Sequence, residues 1–486
     1  MIVSDSHDTI HMVENISFNW KNGEQTPRLN LKSINKTGKG MHVKKVYSNK
    51  ENIQFQHKND TLYIVGLTNS HSLIDLTIEY SGVPIDGLVI GKNKYGKRTF
   101  FGDNWPNRAQ NWLACNDHPS DKAKVYFSVQ APSHYKVIAN GIYQSELNIS
   151  PKEKVWNYAS EIELPTKVIV VGIADFETTW SEKNTVSSWV YPENKALGFY
   201  DFNLAPSILH FFEEYIGPYE FSTLANVQST TRFGGMENAG CIFYDENAID
   251  GTRSCEALLA HEIAHQWFGN SATEIDWPHL WLSEGFATYL TLIYQEKVKG
   301  KEFVADELKQ DRNQIISFCK NYPNPVIDST QKDLMKLLNA NSYQKGSWIL
   351  HMLRKKVGDE TFQKIIQTYY STYRLSFASS KNFEDIAEKV SGLELTAFFN
   401  QWLRSPGIPQ LSTREDIHVK SIQLTVTQLQ NELLFNFPLQ VLIKFKGGAT
   451  ILETIQVSER TTIFEKKYSK KISSFELDPN VELLFK

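Results

Sequence analysis

Cysteine is scarce in this chain. Cys115, Cys241, Cys255 and Cys319 are the only four in 486 residues, and no two form a C-x-x-C pair. That excludes a disulfide framework and a cysteine-held zinc site, and it predicts four buried free thiols. Long apolar runs are missing too. The longest, KVIVVGIADF at 167–176, is far short of the roughly 20 residues that span a bilayer, so no transmembrane segment is expected. Charge of one sign is also lacking: 51 Lys and Arg face 55 Asp and Glu, a formal charge of −4 that argues against nucleic acid as a partner. The opening MIVSDSHDTIHM has neither the basic start nor the apolar core of a secretory signal, which makes a cytoplasmic location the default expectation. Neither an internal repeat nor a low-complexity segment is present.

What remains is a chain of ordinary globular composition, 41% hydrophobic and 12% aromatic. Its length exceeds one ordinary core and points to two to four domains. Up to residue 193 the pattern is short and strand-like, with alternation at 61–65 and 124–129. From residue 194 the period lengthens, and amphipathic helices are predicted at 203–217, 254–268, 279–298, 302–320, 344–357, 360–373 and 394–404. Ser405-Pro406-Gly407-Ile408-Pro409 breaks the helical pattern, after which alternation returns at 421–426 and 439–443. The expected organisation is therefore a multidomain α+β protein: a β domain over 1–193, a mainly helical domain over 194–406 and a small β module over 407–486.

The helical block holds His261, Glu262 and His265 in an H-E-x-x-H run, and Glu284 follows after eighteen intervening residues. Residues i and i+4 share one helix face, so two imidazoles can converge on one ion with Glu262 beside them. One H-E-x-x-H in a chain with 13 histidines is expected by coincidence at about a few per cent. Its setting adds weight: apolar Leu258, Leu259, Ala260, Trp267 and Phe268 flank the run, with Ser254 as N-cap and Gly269 as stop. A second helix, starting near Pro278, carries Glu284. Two His and one Glu leave a fourth position open for water, the pattern of a catalytic zinc site. His279 is assigned a structural or capping role. Glu262 is placed to take a proton from a zinc-activated water and pass it to a departing amine, which suits amide hydrolysis. A second donor to the oxyanion would help, but sequence alone does not choose it from 21 tyrosines.

Upstream stands Gly234-Gly235-Met236-Glu237-Asn238. Two glycines permit close approach of a substrate backbone, and a fixed carboxylate can hold an ammonium. By itself, however, the segment reads better as a solvated turn with an exposed glutamate.

Together these residues resemble the zinc aminopeptidases of the aminopeptidase N and leukotriene hydrolase type, which are gluzincin metallopeptidases. The resemblance rests on Gly-Gly-Met-Glu-Asn at 234–238, His-Glu-Ile-Ala-His-Gln-Trp-Phe-Gly-Asn at 261–270, Trp-Leu-Ser-Glu-Gly-Phe-Ala at 281–287, and Tyr343 in Tyr-Gln-Lys-Gly-Ser. It extends outward to Asp117–Ala123, 435–439 and 477–480, and so covers most of the chain. It implies a thermolysin-like catalytic domain with a small sheet, followed by a β-sandwich module. It also implies one zinc ion on His261, His265 and Glu284, Glu262 as base, Tyr343 as oxyanion donor, and Glu237 as the anchor of the substrate's free α-amine. Peptides with a free N-terminus are the implied substrates. Many members of the family continue into a large helical domain and this chain stops before it, so its substrate cavity is expected to be more open.

The departures lie in the first domain. Asp103 stands where the family carries a glutamine that helps hold the amine, so either Asp103 takes that part or the anchor is built differently. Gln110 and Ala114 replace an arginine and a proline. The opening of this domain is expected to be shortened, and a longer start would leave room for a secretion signal. Two other functions keep the same fold: a catalytically silent scaffold, and a zinc endopeptidase in which Glu237 has no amine to hold.

Overall fold

The computed structural model describes residues 1–19, 26–65, 73–431 and 433–486. They form two compact units, one of residues 1–276 with 373–377 and one of 277–372 with 378–486. The protein is a multidomain α+β chain, β-rich at the start, helical after residue 195 and β again at the end.

In the first unit, strand Leu73–Val83 lies antiparallel to both Ile10–Asn19 and Gly40–Ser48. Alternate residues Ile74, Leu76, Ile78 and Tyr80 are buried, as a sheet with one covered face requires. The predicted alternation at 61–65 is strand Thr61–Ile64, whereas that at 124–129 begins later, as Tyr126–Pro132. Ala114, where the family has proline, uses the N–H that proline lacks: it donates to Glu14 Oε2 at 2.9 Å. Tyr80 OH donates to the same oxygen at 2.6 Å, and burial nevertheless raises the Glu14 carboxyl to about 7.

A five-stranded sheet runs in the order Glu177–Trp180, Val186–Val190, Leu224–Ser229, Cys241–Asp245, Gly235–Met236. Its three middle strands are parallel, and both edge pairings are antiparallel. Val186–Val190 and Leu224–Ser229 are buried along their whole length, the pattern of strands covered on two faces. Parallel neighbours need a crossover, which α1 (Lys195–Phe202) and α2 (Ala205–Tyr215) supply where a single helix over 203–217 was predicted. The sheet leads into α3 (Glu256–Ala264), shorter than the predicted 254–268. Ser254 does not cap α3: its hydroxyl is turned back to Asp250 Oδ2 at 2.8 Å, and Cys255 holds the N-cap position.

The second unit contains α4 (Trp281–Lys299), α5 (Lys301–Cys319), α6 (Gly346–Val357) and most of α7 (Asp359–Tyr373). Pro278 lies not in α4 but in a 3₁₀ turn, Trp277–His279, just before it. Gly285 of α4 and Gly346 of α6 let two backbones approach so closely that a Cβ on Gly285 would come 2.9 Å from the Gly346 Cα. Helix α8 (Ser380–Ser391) was not predicted, although it carries a full capping box between Ser379 and Asn382 and a left-handed Gly392 at its end. After α9 (Thr396–Phe399) and a π-helical turn, Asn400–Arg404, come two three-stranded antiparallel sheets. The predicted alternation there falls in Ser421–Gln428 and Phe437–Phe445. Among the described residues no helix is long and apolar enough to cross a membrane. All four cysteines are free thiols; three are buried and Cys319 is partly exposed.

Candidate active site

Helix α3 ends on the H-E-x-x-H run. Its His261 and His265 lie one turn apart, with their Nε2 atoms 3.1 Å from each other. His265 Nδ1 lies 3.2 Å from the Phe268 carbonyl oxygen, so this nitrogen is the donor and Nε2 keeps its lone pair. Glu284, three residues into α4, completes a group able to hold a metal ion: one ligand atom from each of His261, His265 and Glu284 lies within 4.8 Å of the others. Two nitrogens about 2.0–2.1 Å from one zinc, at a tetrahedral angle, would be roughly 3.4 Å apart. The observed 3.1 Å and the N, N, O donor set both fit such an ion. His279 is not in this group and has its Nδ1 2.8 Å from Ser380 Oγ.

Glu262 is buried on α3. Against it lies the short edge strand Gly235–Met236. A Cβ on Gly235 would overlap the Glu262 carboxyl group, 2.6 Å from its Cγ and 2.5 Å from its Cδ. Gly234 meets no such obstacle. Gly235 is therefore the member of the pair that requires glycine, because a side chain there would displace Glu262.

The solvated turn that the sequence alone favours for 234–238 is not what forms. Glu237 is 4% exposed, Asn238 is fully buried and Met236 is buried. Glu237 Oε1 has no hydrogen-bond partner among the described residues, an expensive condition for a buried carboxylate unless a ligand meets it. Its backbone oxygen, by contrast, accepts from Gln266 Nε2 at 3.0 Å and Asn270 Nδ2 at 2.5 Å. Gln266 and Asn270 belong to the motif after His265, yet sequence reasoning gave them no role, because their partner stands about thirty residues upstream.

Asp103 is fully buried, and its carboxylate is engaged by Arg108 Nη2, with Thr231 Oγ1 3.5 Å away. Arg108 also meets Asp86 at 3.2 Å, and Arg232 meets Asp86 at 2.6 Å. Burial still raises the Asp103 carboxyl. Its carboxylate is thus engaged within the protein, by Arg108 and beside Thr231 of the segment that runs into Gly234.

Tyr343 occupies a π-helical turn, Asn341–Lys345, that opens directly into α6. Such turns are frequent at functional sites, because the extra residue re-aims a side chain. Gly285, next to Glu284, would carry a Cβ 3.1 Å from the Ser342 carbonyl oxygen, so the α4 backbone lies directly against this turn.

Comparison with known proteins places these residues in context. Residues 3–168 match the model of the peptidase M1 N-terminal domain, and residues 200–402 match that of the peptidase family M1 domain. The probable aminopeptidase 1 of Sulfurisphaera tokodaii is 24% identical over 90% of this chain and 58% of its own length. The alanine/arginine aminopeptidase of Saccharomyces cerevisiae is 27% identical over 78% of this chain and 46% of its own length. The human glutamyl aminopeptidase is 27% identical over 69% of this chain and 38% of its own length. The chain thus spans from about two fifths to just under three fifths of these relatives.

Proposed function

We propose, from the premise that this chain belongs to peptidase family M1, that it is a zinc-dependent aminopeptidase removing the first residue of peptides with a free N-terminus. Three domains, 1–193, 194–406 and 407–486, carry this reading. His261, His265 and Glu284 would hold one zinc ion. When bound, zinc supplies Lewis acidity and lowers the pKa of a coordinated water to about 7. Glu262 takes the proton of the attacking water and delivers it to the departing amine, a general-base role worth roughly 10²–10⁴ in rate. Tyr343 donates its phenolic hydrogen to the oxyanion formed at the scissile carbonyl.

Glu237 decides where cleavage falls. The observation that carries the proposal is its buried Oε1, without a hydrogen-bond partner among the described residues, directly after the strand that packs against Glu262. A substrate ammonium meets that oxygen in a charge-assisted hydrogen bond, and a fixed distance from the metal then selects the first peptide bond. The substrate backbone lies along Gly234, Gly235, Met236 and Asn238, that is, the strand Gly235–Met236 and the residues flanking it.

The test is a panel of aminoacyl arylamides and matched N-acetylated peptides, with and without a zinc chelator. The expected result is hydrolysis that needs metal and a free amine. Glu262→Gln should lower kcat by about 10²-fold or more with bound zinc unchanged. Equal cleavage of free and acetylated substrates would make the protein an endopeptidase, and no hydrolysis by the zinc-loaded protein would make it a silent scaffold.

A further inference from the structure

We infer that Gln266 is a positioning residue that sets the distance between the amine-anchoring Glu237 and the metal ligands. This deepens the reading above and rests on Glu237 being the amine anchor. Residues 238–241 make a tight turn closed by Cys241 N donating to Asn238 O at 3.0 Å, and Glu237 O and Gly240 N lie one residue out of step with that closure. Here they do not meet. The Gln266 side chain stands between them, with its Nε2 donating to Glu237 O at 3.0 Å and its Oε1 accepting from Gly240 N at 2.9 Å. Gly240 has φ +64, so the reversal is completed in the left-handed region, which suits glycine. Nε2 also lies 3.3 Å from the carbonyl oxygen of Glu262. One fully buried amide, a single residue beyond His265, therefore touches the backbone of the base and both ends of the segment that presents Glu237.

Other buried amides hold the same reversal. Asn270 Nδ2 gives Glu237 O its second donor at 2.5 Å. From the other side, Asn140 Nδ2 donates to Ala239 O at 2.9 Å while its Oδ1 accepts from Val170 N. Asn270 is itself fixed, because Lys122 Nζ donates to the carbonyl oxygens of Asn270 and Ser271 at 3.3 and 2.8 Å. The backbone that carries Glu237 is thus tied to the segment following the H-E-x-x-H helix as well as to its own neighbours, where Asn238 N donates to Met236 O at 2.9 Å and Cys241 N to Asn238 O at 3.0 Å. Gln266 acts through Glu237 and touches no substrate atom, so its loss should misplace the anchor while leaving metal and base in position.

Gln266→Met keeps the length and removes both hydrogen-bonding ends. In the zinc-loaded protein it should raise KM for a free-amine arylamide about tenfold, which is about 1.4 kcal/mol. Here kcat should stay within about threefold and zinc content should not change. The preference for free over N-acetylated peptide should fall by the same factor as KM rises. In the resting protein the Gly240 amide should exchange with deuterium faster, since Gln266 Oε1 no longer accepts from it. Should Gln266→Met not fold, Asn270→Ala removes the other donor to the same carbonyl and carries the same expectation for KM and for preference. Glu237→Ala is measured alongside. If it abolishes the free-amine preference while the Gln266 or Asn270 variant leaves KM and preference within twofold, the positioning role is overturned. If Glu237→Ala itself leaves the preference intact, the amine-anchor reading beneath it falls.

Discussion

Gly235 lacks a side chain at the place where the Glu262 carboxylate lies, and the two residues come from segments that meet only in the folded chain. The clash that alanine would bring involves the end of a flexible side chain and not a backbone atom, so the fold can yield at a cost of about 1 kcal/mol. The base, however, has to move. A displacement of about 1 Å at a reacting group costs roughly 10² in rate. Gly235→Ala is therefore expected to lower kcat about a hundredfold, with zinc content unchanged and the unfolding midpoint within a few degrees. A kcat within threefold of the parent would show that Glu262 does not act from this position. A Cβ on the neighbouring Gly234 would meet only Leu258 side-chain atoms, at 3.7 and 3.9 Å, so the crowding against Glu262 is specific to Gly235. At this scale the meeting of His261 and His265 was legible in the sequence, because a helix converts a spacing of four into a shared face. The sequence did not display the burial of Glu237. That depends on Gln266 and Asn270, 29 and 33 positions away, and no local pattern encodes such a meeting.

Elements here are fastened to one another by single buried groups as much as by apolar surface. Lys167 and Glu274 are both fully enclosed, and their side chains meet at 2.6 Å, tying the 3₁₀ turn Thr166–Val168 to the short strand Thr273–Glu274 that follows the H-E-x-x-H segment. Burial raises the Glu274 carboxyl in spite of the adjacent ammonium, and the nearby Glu237 charge pushes in the same direction. Removing one partner leaves the other charge buried alone, whereas replacing both with apolar side chains leaves none. Glu274→Ala is expected to destabilise the protein by about 3–5 kcal/mol in denaturant unfolding, while the double variant Lys167→Met, Glu274→Leu should recover most of that loss. Additive losses in the double variant would mean that the two groups do not depend on each other. The same dependence on distant partners explains which elements the sequence revealed. Helices α4 to α7 were legible because each is long and bounded by a turn or a glycine. Helix α8 was not predicted although Ser379, Asn382 and Gly392 mark both its ends, because it is short and buries only Phe383, Ile386 and Ala387 as apolar side chains; at the H-E-x-x-H helix the cap signal misled instead. There Ser254 had the right residue type but was drawn to Asp250, which competed successfully for its hydroxyl.

On the scale of the molecule, the second unit closes on its own C-terminal segment through charged and titratable groups, and this gives its stability a predictable dependence on acid. Arg312 of α5 reaches Asp478 Oδ2 and the Leu483 carbonyl oxygen, at 2.5 and 2.7 Å, with its guanidinium 4.9 Å from the ring centroids of both Trp348 and Phe485. Beside it, His351 of α6 is 6% exposed, and its Nε2 lies 2.9 Å from the Val481 carbonyl oxygen. A carbonyl only accepts, so Nε2 carries the hydrogen and Nδ1 accepts from Tyr289 OH at 3.1 Å. Burial lowers the imidazole to about 3, the Val481 carbonyl opposes the shift, and the cationic Lys355, Arg354 and Arg312 add to it. Between pH 6.5 and 3 the unfolded chain therefore binds a proton at His351 that the folded chain refuses, and stability falls as pH falls through that window. A shift of this size corresponds to about 4–5 kcal/mol, present above pH 6.5 and fully lost below pH 3. Asp311 works in the opposite direction: burial raises its carboxyl to about 7, so its contribution grows as pH falls from 7 towards 3.8. The whole stability curve is a sum of such terms, and only a difference isolates His351. His351→Gln keeps a donor for Val481 and removes the titration. Its loss of unfolding free energy between pH 6.5 and 4 should be smaller than that of the parent protein by about 3 kcal/mol, measured by denaturant titration at each pH. Parallel curves for the two proteins would mean that acid unfolding of the second unit starts elsewhere.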